Sequence, residues 1–262
     1  MLSRTDDHWT ATTAEDARAV LSDDRLIIAP VPDEGPPGGI RRLRAAVSRF
    51  VEGAEHERRR GLLEAELARV DPAELGQATR AHAEQVRRDA EVVRRAPTAA
   101  LAELLGAVDP LAAADAALAI APAYFPGAGA EAEAVADTAL ARLRDALGGA
   151  DGDTMTARIT LLIQACDATG ALVEAALSSG LPLDEVLRRR PPLPALRRVA
   201  EADADVAGTA IRAGDRVVVD VAAASDPEVV TFDLGRRPCP AREHALAAAA
   251  AVLDTLRPPA TR

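Results

Sequence analysis

At 262 residues and 48% hydrophobic content, the chain is long enough to bury a substantial core. Its net charge of -10 argues against a general nucleic-acid binder, and because all 31 basic residues are arginine there is no lysine for a Schiff base or a Gly-Lys-Ser/Thr phosphate loop. The first thirty or so residues contain acids, and no stretch reaches roughly twenty uncharged apolar residues, so neither signal peptide nor membrane span is predicted and a cytoplasmic location is expected.

In chain order, Ala14 to Leu21 reads as a short helix, followed by a proline- and glycine-rich loop from Pro30 to Gly39. Arg41 to Val70 and Pro72 to Arg95 are charged and amphipathic, Ala99 to Ala121 is alanine-rich, and Gly129 to Leu147 has an acidic start, all at helical spacing. Gly148 to Asp153 breaks the chain. Thr156 to Leu177 is predicted as a long buried helix, with Ile159, Leu162, Ile163, Cys166, Val173 and Leu177 on its apolar stripe. Leu183 to Arg189 forms a short helix that ends before Pro191-Pro192, since a residue preceding proline is pushed out of helical geometry. Arg197 to Val230, with the run Val217-Val218-Val219 and breaks at Gly208 and Gly214, predicts two or three short antiparallel strands. Pro240 to Leu256 closes the chain as a helix. The predicted fold class is mainly α with a small antiparallel β-sheet. With no internal repeat and no linker, residues 1–262 read as a single domain.

The two cysteines, Cys166 and Cys239, are too few for a disulfide framework and are judged by their chemistry. Cys166 sits on the apolar stripe as a small core residue. Cys239 lies in Phe232-Asp-Leu-Gly-Arg-Arg-Pro-Cys-Pro-Ala241, ahead of a helix that Pro240 would open. As N-cap, its sulfur would meet the free N–H groups of the first turn, which stabilise a thiolate. A thiolate in such a place is a good ligand for haem iron. A lone cysteine in a loop is more often structural, so the weight falls on what accompanies it.

Phe232, Gly235, Arg237, Cys239 and Ala241 fill, in register, the pattern around the haem cysteine of the cytochrome P-450 family, which the chain resembles; Asp233 stands where that family usually has glycine. Upstream, Glu185-Val-Leu-Arg188 followed by Arg-Arg-Pro-Pro-Leu-Pro resembles the family's Glu-x-x-Arg helix and its continuation, although such a pair by itself is usually a solvated surface pair. Arg198, in Arg198-Val-Ala-Glu-Ala-Asp203, resembles the residue that reaches a haem propionate in bacterial members. His56 and Arg60 resemble the family's His-x-x-x-Arg, and a spacing of four puts them on one helical face. Read alone, that spacing also fits a solvated face. The resemblance implies haem b, iron protoporphyrin IX, with Cys239 as axial ligand and with His56, Arg60, Arg198 and Arg237 holding the propionates.

The same resemblance gives Asp167 a role in proton delivery. Ala168 occupies the usual threonine position, and the hydroxyl comes at Thr169, about 100° further round the helix. The resemblance runs from about Trp9 to the C-terminus of a chain much shorter than typical members, which implies a truncated cytochrome P-450-like fold. Its implied activity is that of a haem-thiolate oxidoreductase, most simply a monooxygenase acting on a small organic, secondary-metabolite-like substrate, with electrons from a ferredoxin-type partner. Haem chemistry driven by peroxide or a rearrangement, and a non-catalytic relative that stabilises a partner enzyme, are the alternatives. No nucleic acid or membrane partner is expected.

Overall fold

The computed structural model describes every residue except 1, 6, 33, 150, 151, 227 and 258–262. Strands β1 (Ser3–Arg4) and β2 (Trp9–Ala11) precede helix α1 (Ala14–Ser22) and strand β3 (Leu26–Ile27). The helical middle comprises α2 (Ile40–Ala46), α3 (Gly53–Leu67), α4 (Pro72–Gln85), α5 (Val92–Leu104), α6 (Pro110–Ile120), α7 (Ala130–Ala146) and α8 (Asp153–Ser179). Next come α9 (Leu183–Arg189), strands β4 (Ala195–Ala200), β5 (Ala204–Val206), β6 (Thr209–Ile211) and β7 (Arg216–Asp220), then α10 (Val221–Ala224) and α11 (Arg242–Leu256). The chain is mainly helical with a small mixed sheet. It forms two compact units, Met1–Ala29 with Ser178–Arg242, and Pro30–Leu177 with Glu243–Arg262.

In the first unit the sheet runs β1-β2-β7-β4-β3, with β5 and β6 as a separate hairpin. All neighbours pair antiparallel except β2 and β7, which are parallel with Trp9, Thr10 and Ala11 opposite Val217, Val218 and Val219. The predicted antiparallel strands are therefore present, but β1, β2 and β3 join them from the N-terminal segment. The Trp9 indole N–H donates to Asp215 Oδ2 at 3.0 Å, tying β2 to the turn before β7. Alternate residues of β7, Val217 and Val219, face a core completed by Val20, Leu21, Ile211 and Val230. Thr13 caps α1 by accepting from the Asp16 N–H at 3.1 Å, while its hydroxyl donates to Asp16 Oδ2.

In the second unit, the sequence Asp-Pro opens two helices by one mechanism. Asp71 caps α4 and Asp109 caps α6 through their carboxylates, and the following prolines take positions that need no N–H donor. The long helices predicted over Arg41–Val70 and Ala99–Ala121 are each interrupted. Gly53 has φ +62° and Gly106 φ +85°, left-handed conformations through which a right-handed helix cannot continue. The predicted Pro72–Arg95 helix likewise divides into α4 and α5. Helix α8 runs 27 residues with an apolar stretch long enough to cross a membrane, but most of that stretch is buried against protein, as expected of a core helix.

Burial pushes the Cys166 thiol from 9.0 up to about 12 and the Tyr124 phenol from 10.0 up to about 12. Both groups fold in their neutral forms and ionise earlier in the unfolded chain. The stability they contribute is thus present below about pH 9 and lost as pH rises toward about 12. Urea denaturation at about pH 8 and about pH 11 should show this loss, and Cys166→Ala/Tyr124→Phe should flatten it; an equally steep loss in that variant would contradict the assignment.

Candidate functional site

Hydrogen bonds hold the chain at Ser225 and again between Val230 and Cys239. Ser225 Oγ donates to Val221 O at 2.6 Å and accepts from the Val230 N–H at 3.1 Å, which fixes the chain as it leaves α10. At Asp233 the backbone turns into the left-handed region, φ +66°. Glycine is favoured there, and aspartate is among the few side chains that tolerate it. Its N–H donates to Val230 O at 2.9 Å, and its Oδ1 accepts from the Gly235 N–H at 2.7 Å, an Asx-type turn.

Gly235 then passes directly over the end of α1, where a Cβ would lie 2.0 Å from Leu21 O, so only glycine fits. The neighbouring Arg236 N–H donates to that same carbonyl at 3.1 Å. Finally, the Cys239 N–H donates to Phe232 O at 2.8 Å, closing the loop, and the cysteine side chain is exposed. The Arg242 guanidinium lies 5.3 Å from the centre of the Phe232 ring, a cation–π contact.

Two expectations about this loop change. Helix α11 begins at Arg242, so Cys239 sits three residues ahead of it rather than at its N-cap. Proline on both sides of the cysteine fixes φ at its two neighbours and removes two N–H donors from the approach. Arg198 is buried on β4, and its Nη2 donates to Asp233 Oδ2 at 2.6 Å, with side chains 5% and 10% exposed. Sequence reasoning noted Asp233 only as a departure from glycine. The departure from glycine was visible in the sequence, but its partner Arg198 lies 35 residues away and only the fold brings the two together.

Elsewhere in this unit, Glu185 accepts from Arg189 Nε at 2.8 Å along α9, four residues on, and Arg188, the partner expected from the sequence, lies on the same helix. Arg237, beside the cysteine, is half-buried.

In the other unit, His56 and Arg60 do lie on α3 at a spacing of four. The His56 Nδ1 is 2.9 Å from Ser48 O, and Arg60 Nε donates to Glu64 Oε1 at 2.5 Å. The predicted proton-handling residues of α8 point different ways: Thr169 is 4% exposed, whereas the Asp167 side chain is 62% exposed, as a separation of two residues on a helix requires. Asp167 lies 3.4 Å from Arg94 Nε, and Glu174 takes Arg94 Nη1 at 2.5 Å. Arg94 crosses α8 over Gly170, where a Cβ would stand 2.4 Å from its Cγ. Hydrogen bonding to Glu174, foremost, raises the Arg94 pKa above its usual value. Asp167 thus belongs to a surface ion-pair cluster on the flank of the helix.

The chain is mainly helical, with a small mixed sheet and a loop that exposes Cys239. No family model and no curated protein matches the sequence. Solved structures do. CalO2 superimposes with a TM-score of 0.74 at 18% identity, covering 98% of this chain and 85% of that one. P450BioI, in complex with an acyl carrier protein carrying hexadec-9Z-enoic acid, gives 0.71 at 16% identity, over 95% and 84%. CYP109E1 from Bacillus megaterium, in complex with testosterone, gives 0.69 at 16% identity, over 97% and 85%. The chain has the cytochrome P-450 fold, in a shortened form.

The donor set fits a haem at the position that matters most. An exposed thiol is presented on a loop whose backbone is closed by the Cys239 to Phe232 hydrogen bond. One of the predicted carboxylate partners, Arg198, is already engaged by Asp233.

Proposed function

We propose that the chain is a haem-thiolate oxidoreductase, most simply a monooxygenase acting on a small organic, secondary-metabolite-like molecule. A ferredoxin-type protein would supply the electrons, and the setting would be the cytoplasm. The observation that carries this reading is the Cys239 loop, closed by hydrogen bonds between Val230 and the cysteine and carried on a cytochrome P-450 fold. Cys239 would ligate the iron of haem b. Arg237, and on α3 His56 and Arg60, would meet its carboxylates, since guanidinium and imidazolium groups give charge-assisted hydrogen bonds to them. When bound, haem supplies the redox chemistry, and a thiolate ligand favours O–O bond cleavage.

The chain's own residues have simpler tasks. The hydrogen bond from the Cys239 N–H to Phe232 O closes the loop that presents the sulfur, and Arg242 lies over the Phe232 ring. Proton delivery from α8 is the weaker part of the proposal. Asp167 is turned to solvent and paired with Arg94, so protons would pass through water held near it rather than along an Asp167–Thr169 relay. That placement favours peroxide as oxidant, a second reading in which the proton deliveries of oxygen reduction are bypassed.

Protein reconstituted with hemin, reduced and exposed to carbon monoxide should show the far-red-shifted Soret band of a thiolate complex. Cys239→Ala should abolish it. A wild-type protein that takes up no hemin overturns the reading. Turnover sustained by peroxide but not by a ferredoxin and its reductase selects the second form.

A further inference from the structure

We propose that Asp233 is a built-in counter-ion for Arg198, an internal carboxylate that takes the guanidinium a haem carboxylate would otherwise occupy and fixes the Cys239 loop before haem binds. For its ligand this inference rests on the haem-thiolate reading; its claim about the ligand-free protein does not.

Arg198 lies on β4, between β7 and β3 in the sheet, with 5% of its side chain exposed. A guanidinium does not lose its proton in a protein, so a buried one needs an anion beside it. Asp233 supplies that anion at 2.6 Å, a short charge-assisted contact. Both carboxylate oxygens are used: Oδ2 receives Arg198, and Oδ1 receives the Gly235 N–H at 2.7 Å. One side chain therefore joins the sheet to the turn that leads to the cysteine. The backbone of Asp233 completes the join through its N–H to Val230 O at 2.9 Å.

The position had to be non-glycine for this to exist. At φ +66° a glycine would hold the turn more cheaply, and it would leave Arg198 without this partner. Because Asp233 belongs to the same chain, an incoming carboxylate competes with one already present at high effective concentration. Arg198 is thereby withdrawn from ligand binding, and haem is held by the thiolate and by the other cations.

The test compares wild type, Asp233→Asn and the charge-neutral pair Arg198→Gln/Asp233→Asn, each without haem and in titration with hemin. Asp233→Asn removes the carboxylate charge beside a buried cation, and its haem-free melting temperature should fall by on the order of 10 °C. The neutral pair should recover most of that fall. Hemin should bind the neutral pair within about threefold of wild type, while Asp233→Asn, with Arg198 released, should bind it about tenfold more tightly.

Soluble neutral pair alongside insoluble Asp233→Asn would support the inference. An Asp233→Asn protein that melts within about 2 °C of wild type overturns it, as does a neutral pair whose hemin affinity falls by about tenfold or more. If wild type takes up no hemin, the haem-thiolate reading fails, and the melting comparison alone decides the role of Asp233.

Discussion

Gly235→Ala should cost about 3 kcal/mol or more of folding stability and weaken hemin binding by roughly tenfold. The added Cβ would stand 2.0 Å from Leu21 O, 2.2 Å from Leu21 C and 2.7 Å from Leu21 Cβ. These are mostly backbone atoms at the end of α1, and they have no rotamer by which to withdraw. Either α1 or the loop must shift by about an ångström, and overpacking of that kind typically costs about 1–3 kcal/mol by itself. Such a shift also breaks the Arg236 N–H to Leu21 O bond and strains the turn closed by Asp233 and Gly235, adding roughly 1 kcal/mol for each bond lost. Urea denaturation and hemin titration measure the two effects. Wild-type stability together with unchanged hemin affinity would mean that the loop does not rest on α1.

Tyr124→Ala should be nearly as damaging, at about 3–5 kcal/mol, and for a different reason. The sequence has 3 phenylalanines, 1 tyrosine and 1 tryptophan, so large side chains fill little of its core. Tyr124 is 2% exposed, with its ring 5.8 Å from Phe50 and 5.3 Å from Phe125 between centroids. Its backbone cannot follow the missing ring inward. Arg44 Nε donates to Ala123 O at 3.1 Å and to Tyr124 O at 3.2 Å, holding both carbonyls in place. The cavity would persist, which places the cost toward the upper end of the range. Tyr124→Phe keeps the ring and loses the bond from Gln164 Nε2 at 2.8 Å, so about 1 kcal/mol is expected. Equal losses for the two variants in chemical denaturation would show that the hydroxyl, not the ring, does the work.

The helices were legible where a local cue marked them. α1 and α9 lie within a residue of their predicted bounds because Thr13 caps one and Pro191 stops the other. The breaks at Gly53 and Gly106 were missed because a glycine within a helical pattern is ambiguous until its φ is known. The strands β1, β2 and β3 have two or three residues each, too few for alternation to register. Their partners also lie far along the chain, as with Trp9 opposite Val217.

The site divides the same way. The sequence singles out Cys239 because Phe232, Gly235, Arg237 and Ala241 surround it at fixed spacing. The Arg198–Asp233 contact joins residues 35 apart, which only the folded sheet brings together. Asp167 was placed correctly on the flank of the apolar stripe, but whether that flank meets a cavity or solvent depends on α5, whose Arg94 meets it.

The parallel pairing of β2 with β7 sets a schedule for synthesis. Trp9 emerges early but meets Val217 only after some 200 further residues have been made, and its indole waits as long for Asp215. At ribosomal rates of about 5–20 residues per second, that is a delay of roughly 10–40 s. Residues 30–177, which make up most of the other unit, are all released in that interval. The helical middle can therefore condense while the N-terminal strand still has an unpaired edge open to chaperones or to a second nascent chain. The sheet that carries the cysteine loop therefore closes only late in synthesis, once β7 has been made, and its yield should depend on how fast the chain is translated.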